Sequence, residues 1–287
     1  MKINLGLAQM TPKLGDVKRN LEKHLELIDQ AAAQKVELLA FPELSLTGYN
    51  LQDLVYEVAA HPTADDPTFG PLLKASRNLD LLVGFVEEDR RHRFFISQAY
   101  LSGGEVVHVH RKVYLPTYGI FDEGRYFAWG DRVQAFETRF GRVGVLICED
   151  FWHASPPYLL WIDGADILFL HSSSPGRGLD EGEQLSSARW VEKMNQAYAG
   201  LFTMYVVHCN RVGFEGGLGF WGGSSIADPN GEFIVHGPYF EDALIVCEID
   251  LNELHRTRSR LPLLRDERTG LMSNELRRIL NDGDEPR

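Results

Sequence analysis

Apolar positions along the chain fall into short continuous runs, alternating runs and one long helical stripe. Residues 3–10 (INLGLAQM) read as a β-strand, an apolar run interrupted at Asn4 and Gln9. Asp16 is a plausible helix N-cap, and Val17, Leu21, Leu25, Ile28, Ala32 and Val36 form one stripe at helical spacing behind it. VELLAF (36–41) has the length of a buried strand, broken by Pro42 with Glu43 at its exit. A short helix is expected at 51–59 and another at 71–78. Strands are expected at 79–89, 94–102 and 104–113, with Gly103-Gly104 as a hairpin turn. A glycine- and aromatic-rich loop then runs from Tyr114 to Trp129, followed by a hairpin of 133–140 and 142–148 around Gly141.

Beyond that hairpin the pattern repeats. ADILFL (165–170) is a buried strand ending at His171, 185–200 reads as a helix, and LFTMYVVHCN (201–210) as a strand. A hairpin with an Asp-Pro-Asn-Gly turn spans 224–237, and 243–250 is the last strand. From Leu251 a helix and a charged tail follow, with DGDEPR (282–287) expected to fray. Strands alternate with helices in the first half and again after Cys148. This predicts two similar α/β halves, each giving one sheet to a layered sandwich within one domain of 287 residues.

Composition narrows the function. The chain is 44% hydrophobic and 24% charged, and its formal net charge is -12. That sign argues against nucleic acid, which needs a basic face. No apolar stretch approaches the ~20 residues of a membrane helix, and the first residues lack a signal-peptide pattern. Three cysteines (Cys148, Cys209 and Cys247) without paired spacing are no disulfide framework, so a reduced, cytoplasmic protein is expected.

The candidate chemistry lies at strand exits, where α/β sheets carry their sites. VELLAF ends at Glu43, RVGVLI at Cys148 followed by Glu149 and Asp150, ADILFL at His171 and Ser172, and the 201–210 strand at Asn210. A cysteine alone reads as core, which suits Cys209 and Cys247. Cys148 differs, since carboxylates and aromatics follow it at once. It is the candidate nucleophile, for which a neighbouring base or positive charge would favour the thiolate. Glu43 is the candidate base and Lys112, before the aromatic loop, the candidate stabiliser of an oxyanion. Two other signals fail. Gly217, Gly219 and Gly222 satisfy GxGxxG, but a hairpin pattern follows where a dinucleotide site needs a helix. His108 and His110 lack further metal ligands at useful spacing, and no GxSxG elbow exists.

Together FPELSLTGY, RKVYLPTYGIFDEGRYF and GVLICEDFW, in that order, resemble the nitrilase superfamily of carbon–nitrogen hydrolases. The resemblance extends from the first strand to about Ile249. It implies a four-layer αββα sandwich and a thioester mechanism without a cofactor. In it Glu43 moves protons, Cys148 attacks, and Lys112 holds the developing charge with the backbone N–H of Glu149. Glu123 falls at the family's second glutamate, near enough to orient Lys112 or the leaving group. The resemblance also implies subunits that pair into a homodimer or larger homo-oligomer, with the tail after Leu251 lying across the partner.

Within the superfamily, KVYLPTYGIFDEGRYF and CEDFW look like the glutaminase domain of glutamine-dependent NAD synthetases. No SGGxDS-type loop is present, so a free-standing hydrolase, or a glutaminase subunit with a separate synthetase partner, is expected. The substrate is expected to be a small linear amide, glutamine-like first, with N-carbamoyl compounds or nitriles as alternatives. Tyr49, Tyr118, Phe151 and Trp152 are candidates for the walls of a small pocket. Glu149, Ser174 and Arg177 are further candidates for substrate contact, with Arg177 suited to a substrate carboxylate. Where the family often has Asn-Pro-Ser, this chain has His171-Ser172-Ser173-Ser174.

Overall fold

A computed structural model describes residues 1–177 and 185–282. The first half runs β1 (Lys2–Gln9), α1 (Val17–Ala33), β2 (Leu38–Ala40), α2 (Val55–Val58), α3 (Phe69–Ala75), β3 (Asp80–Glu88), β4 (Phe94–Ser102) and β5 (Glu105–Arg111). It continues with β6 (Phe136–Thr138), β7 (Gly141–Ile147), α4 (Ser155–Ile162), β8 (Ile167–Ser172), α5 (Ser186–Phe202) and β9 (Tyr205–Asn210). The remainder is β10 (Val212–Glu215), β11 (Leu218–Trp221), β12 (Ser225–Ala227), β13 (Phe233–His236), β14 (Ala243–Asp250), α6 (Asn252–Arg260), α7 (Leu263–Asp266) and α8 (Thr269–Asp282).

Among the described residues the strands form two six-stranded sheets, ordered β14-β1-β2-β3-β4-β5 and β13-β12-β9-β8-β7-β6, and a separate β10-β11 hairpin. Read from β14, the first sheet pairs antiparallel, parallel, parallel, antiparallel, antiparallel. The second, read from β6, gives the same series. The two halves are therefore alike in topology, although no sequence repeat announces it. The last strand returns to the first sheet, where β14 lies antiparallel to β1 from Lys2↔Asp250 to Gln9↔Ala243.

Alternation along each strand assigns the layers. Ile3, Leu5 and Leu7 of β1 pack with Ile167 and Phe169 of β8 and Tyr205 and Val207 of β9 in one cluster between the sheets. The opposite face of the first sheet, including Leu39, Leu81 and Val83, packs on Leu27 and Ile28 of α1 and Leu72 of α3. The outer face of the second sheet, including Leu146, Leu168 and Val206, packs on Leu160 of α4 and Ala199 and Phe202 of α5. The result is the expected four-layer αββα sandwich. Among the described residues no helix is long and apolar enough to cross a membrane.

Several expectations shift in detail. The buried face of α1 is Asn20, His24, Leu27, Ile28 and Ala31, while Ala32 is exposed and Val36 lies past the helix end. Two polar residues turn inward because partners await them: Asn20 bonds Lys13 and Leu46 carbonyls, and His24 faces Ser45 Oγ at 2.9 Å. The helix expected at 71–78 starts earlier, at Phe69. Helix α5 absorbs Leu201 and Phe202, expected in the next strand, and Thr203 (φ 47°) makes the turn into β9. Cys209 is core, whereas Cys247 is only half-buried. Of the tail expected to fray, residues 283–287 lie outside the described residues.

One close approach positions the exit of β2. A Cβ on Gly84 of β3 would lie 2.3 Å from the Pro42 carbonyl oxygen and 2.6 Å from the Leu44 nitrogen. The turn that carries Glu43 therefore rests on bare backbone, and both obstructing atoms are themselves backbone. Replacing Gly84 with Ala should push the Glu43 turn outward. We expect a loss of about 1–3 kcal/mol of stability, by denaturant midpoint, together with most of the activity. Unchanged stability and turnover would contradict this placement.

Candidate active site

The exits of β2, β5, β7, β8 and β9 meet at one edge of the sandwich. Three contacts secure the β2 exit to the second sheet. Cys209 Sγ donates to the Ala40 carbonyl at 3.2 Å, His171 Nδ1 lies 2.8 Å from the Phe41 carbonyl, and the Ser173 N–H donates to Glu43 Oε2 at 2.7 Å. Ser173 Oγ also donates to the Glu43 carbonyl at 2.9 Å. The segment that departs from Asn-Pro-Ser thus holds the Glu43 carboxylate through a backbone N–H. Ser174 N–H in turn donates to Asn210 Oδ1 at 3.0 Å, joining the β8 and β9 exits.

The β5 and β7 exits are joined by Asp150, which is fully buried. Its Oδ1 accepts from the Val113 and Tyr114 N–H groups, both at 2.9 Å, and its Oδ2 from Ile147 N–H at 3.1 Å and His110 Nε2 at 2.9 Å. Reaching back to Ile147 from three residues on, Asp150 behaves as the acidic half of a capping box for the turn Cys148–Trp152. Residues immediately beyond Lys112 and immediately before Cys148 therefore share one carboxylate. Cys148 has φ 45°, a strained value for a side chain other than glycine, as does Leu44 beside Glu43 at 49°.

Between these exits lies a buried charge cluster. Lys112 Nζ donates to Glu43 Oε1 and Glu123 Oε1, each at 2.8 Å. Exposures of 0%, 1% and 5% for Lys112, Glu43 and Glu123 place all three out of water. Burial opposes the Lys112 charge, but the Glu123 and Glu43 carboxylates outweigh it and hold the ammonium well above the ordinary lysine range. Burial raises Glu123 to about 7, against the pull of Lys112. The Cys148 thiol is pushed well above its usual value by burial and then by the Glu43 charge, with Lys112 pulling the other way. Lys112 thus favours the thiolate, as expected of a neighbouring positive charge, while burial first and the Glu43 carboxylate second oppose it.

Cys148 opens into a cavity of about 240 Å³ lined by Tyr118, Glu149, Trp152, Ser174 and Arg177, with Phe121 and Val191 completing its walls. The Tyr118 hydroxyl donates to the Glu149 carboxylate, 3.0 Å from both oxygens, and the Arg177 guanidinium lies 4.6 Å over the Phe121 ring. Two expected wall residues are elsewhere. Tyr49 donates its hydroxyl to Glu123 Oε1 at 2.6 Å, behind the charge cluster. It lines a separate cavity of about 360 Å³ with Glu123 and Gly216. Phe151 packs edge-on to Tyr198 in the outer core, since the tight turn after Cys148 sends successive side chains in different directions. The helix-less GxGxxG lies on the β10–β11 hairpin. His108 stacks on Phe136 and His110 serves Asp150.

The roles of Asp150, Ser173 and His110 escaped the sequence reading. The first had a local signal, an acid three residues into a turn. The other two had none, because their partners are 130 and 40 residues away.

Comparison with known proteins places this geometry among relatives. Residues 4–259 match the family model described as carbon-nitrogen hydrolase. The chain is 33% identical over 259 residues to a glutamine-dependent NAD(+) synthetase of Thermotoga maritima, covering 88% of this chain and 43% of that protein. It therefore spans less than half the length of that relative. It is 27% identical over 270 residues to N-carbamoylputrescine amidase of Arabidopsis thaliana, covering 89% of each. A crystal structure of a carbon-nitrogen hydrolase from Helicobacter pylori superimposes with a TM-score of 0.86 at 24% identity, over 96% of this chain and 99% of that one, which shows the shared fold.

Two outcomes follow from the geometry. Glu43→Gln removes the charge that, after burial, does most to hold the thiol up. The pH profile of Cys148 alkylation by iodoacetamide, read by peptide mass, should therefore move to lower pH; a profile that stays or rises would contradict the electrostatics. Asp150→Ala strips three backbone N–H groups, one buried and two partly buried, of their acceptor and should cost roughly 3–5 kcal/mol in chemical denaturation.

Proposed function

The chain belongs to the carbon–nitrogen hydrolase family, whose members cleave carbon–nitrogen bonds other than peptide bonds, and from that premise we propose that it hydrolyses the ω-amide of a small amino acid of the glutamine type, releasing ammonia. The observation that carries this reading is the juxtaposition at Cys148: a buried carboxylate–ammonium–carboxylate cluster behind it, and a small cavity bearing both a carboxylate and a guanidinium in front. At about 240 Å³ the cavity is smaller than the ~300–1,000 Å³ of drug-sized sites. Glu149 and Arg177 are of opposite sign, which suits the ammonium and carboxylate ends of an amino acid. The Glu149 carboxylate is already oriented by the Tyr118 hydroxyl.

In this reading the Cys148 sulfur attacks the amide carbon as its proton passes to Glu43, and a C–S bond forms. The carbonyl oxygen becomes an oxyanion. Lys112 has three N–H groups, of which Glu43 and Glu123 take two, leaving the third for that oxyanion. The Glu149 N–H, in the first turn after Cys148, has no carbonyl within its own turn to serve and is a second donor. Collapse breaks the C–N bond while Glu43 returns its proton to the departing nitrogen, which leaves as ammonia. Water then attacks the thioester with Glu43 as base, the C–S bond breaks, and the thiol regains its proton. A protonated resting thiol suits this sequence, since the proton needed by the leaving group enters with the nucleophile.

The N-carbamoyl reading is favoured by one observation, that Glu149 by itself would take a substrate ammonium. Exposed Leu271, Met272, Leu276 and Ile279 on α8 support contact with a second copy or with an ammonia-consuming synthetase. Light scattering on the purified chain distinguishes self-association from a monomer.

Ammonia release from glutamine, short neutral ω-amides, N-carbamoyl amines and nitriles tests the substrate. Glutamine-like amides should be turned over fastest, and Cys148→Ala should abolish turnover; a Cys148→Ala protein of full activity would end this reading. Arg177→Ala should raise KM for amides bearing a carboxylate by about 2 kcal/mol, roughly 30-fold, and leave neutral amides unaffected. An equal loss for both would remove Arg177 from substrate recognition.

A further inference from the structure

Behind the charge cluster lies a second buried ion pair. Arg211, at the β9 exit, is fully buried and donates Nη1 to Glu215 Oε2 at 2.8 Å. The other Glu215 oxygen accepts two backbone N–H groups, from Tyr49 at 2.9 Å and Asn50 at 2.6 Å. Gly48, at φ 80°, makes room for this carboxylate: a Cβ there would sit 2.8 Å from Glu215 Oε2. The Arg211 guanidinium lies 4.1 Å over the Phe220 ring, and Phe220 meets the Tyr49 ring edge-on at 6.1 Å. Arg211 thus reaches Tyr49 by two routes, through Glu215 to its backbone and through Phe220 to its ring. Tyr49 in turn donates to Glu123 Oε1, the oxygen that also accepts a hydrogen bond from Lys112 Nζ.

We infer that Arg211 and Glu215 are positioning residues for the reaction, fixing Tyr49 so that its hydroxyl holds Glu123, and Glu123 holds Lys112, where charge develops. The inference rests on the reading above that Lys112 stabilises the oxyanion. Stability does not account for the pair. A buried ion pair is often replaced by apolar residues without loss, and Arg211 Nε and Nη2 have no hydrogen-bond partner among the described residues. Orientation accounts for it better: two consecutive N–H groups on one carboxylate fix a peptide plane, and the ring stack fixes the side chain that extends from it.

The test uses Glu215→Gln, Arg211→Lys, Tyr49→Phe and the double variant Tyr49→Phe/Glu215→Gln in the full chain, with thermal melting measured alongside kcat and KM for the best amide. Loss of orientation without loss of pocket predicts that Glu215→Gln lowers kcat about 10- to 100-fold with KM little changed. Because both single changes act through one hydroxyl, Glu215→Gln should add less than about twofold in the Tyr49→Phe background. Arg211→Lys, which loses the planar stack, should behave in the same direction. Additive effects, or wild-type kcat in both folded variants, would overturn the inference. So would unfolding of both Glu215→Gln and Arg211→Lys, since the pair would then serve stability. Failure of the wild type to release ammonia from any amide would instead overturn the reaction. The relay itself remains readable in the Cys148 alkylation profile, which Tyr49→Phe and Glu215→Gln should shift alike.

Discussion

A lysine ammonium without access to water has to be compensated by the protein itself, and the burial of Lys112 imposes that requirement on everything around it. Glu43 and Glu123 both supply that compensation at 2.8 Å, and Glu123 is itself raised to about 7 by burial. The same burial acts on the sulfur beside the cluster. Burial, with the Glu43 charge behind it, raises the nearby Cys148 thiol against the pull of Lys112. The same desolvation that makes the cluster costly to assemble strengthens its effect on any charge beside it, since little solvent screens the interaction.

Assembling such a cluster requires that groups from both sheets be held to a fraction of an ångström. The sandwich does this at the carboxyl ends of its strands. The β2 exit is tied across the sheets by Cys209, His171 and Ser173, and the β5 and β7 exits by Asp150 with His110. Cys148 and Leu44, both at positive φ, are the positions where the backbone departs from easy geometry to bring these exits together. The hydrogen bonds on either side over-determine those conformations, which is the condition under which strain at a site persists. One layer further back, the Arg211–Glu215 pair holds the Tyr49 and Asn50 backbone, and Tyr49 reaches Glu123.

The departures from the sequence reading have a common cause. Periodicity reports where apolar side chains recur, but the buried face of α1 includes Asn20 and His24, whose inward orientation depends on carbonyls and a serine contributed by distant turns. Aromatic residues near Cys148 are equivalent in sequence, yet Phe151 enters the outer core, Trp152 lines the cavity and Tyr49 lies behind Glu123. Direction along a tight turn, not proximity in the chain, sorts them.

The sequence by itself determined the layered α/β architecture, through the alternation of buried strands and helices. It also singled out Glu43 and Cys148, which stand where an apolar run abruptly ends, and Lys112, which stands before the aromatic loop; each is a local property. Only the tertiary structure decided how those groups act on one another. The raised Cys148 thiol depends on burial and on the Glu43 charge, both supplied by other elements. The pairing of Lys112 with Glu43 joins residues 69 apart, and the grip of Ser173 on Glu43 spans 130. Charge, burial and hydrogen-bond partnership are properties of neighbours in space, and no spacing along the chain encodes them.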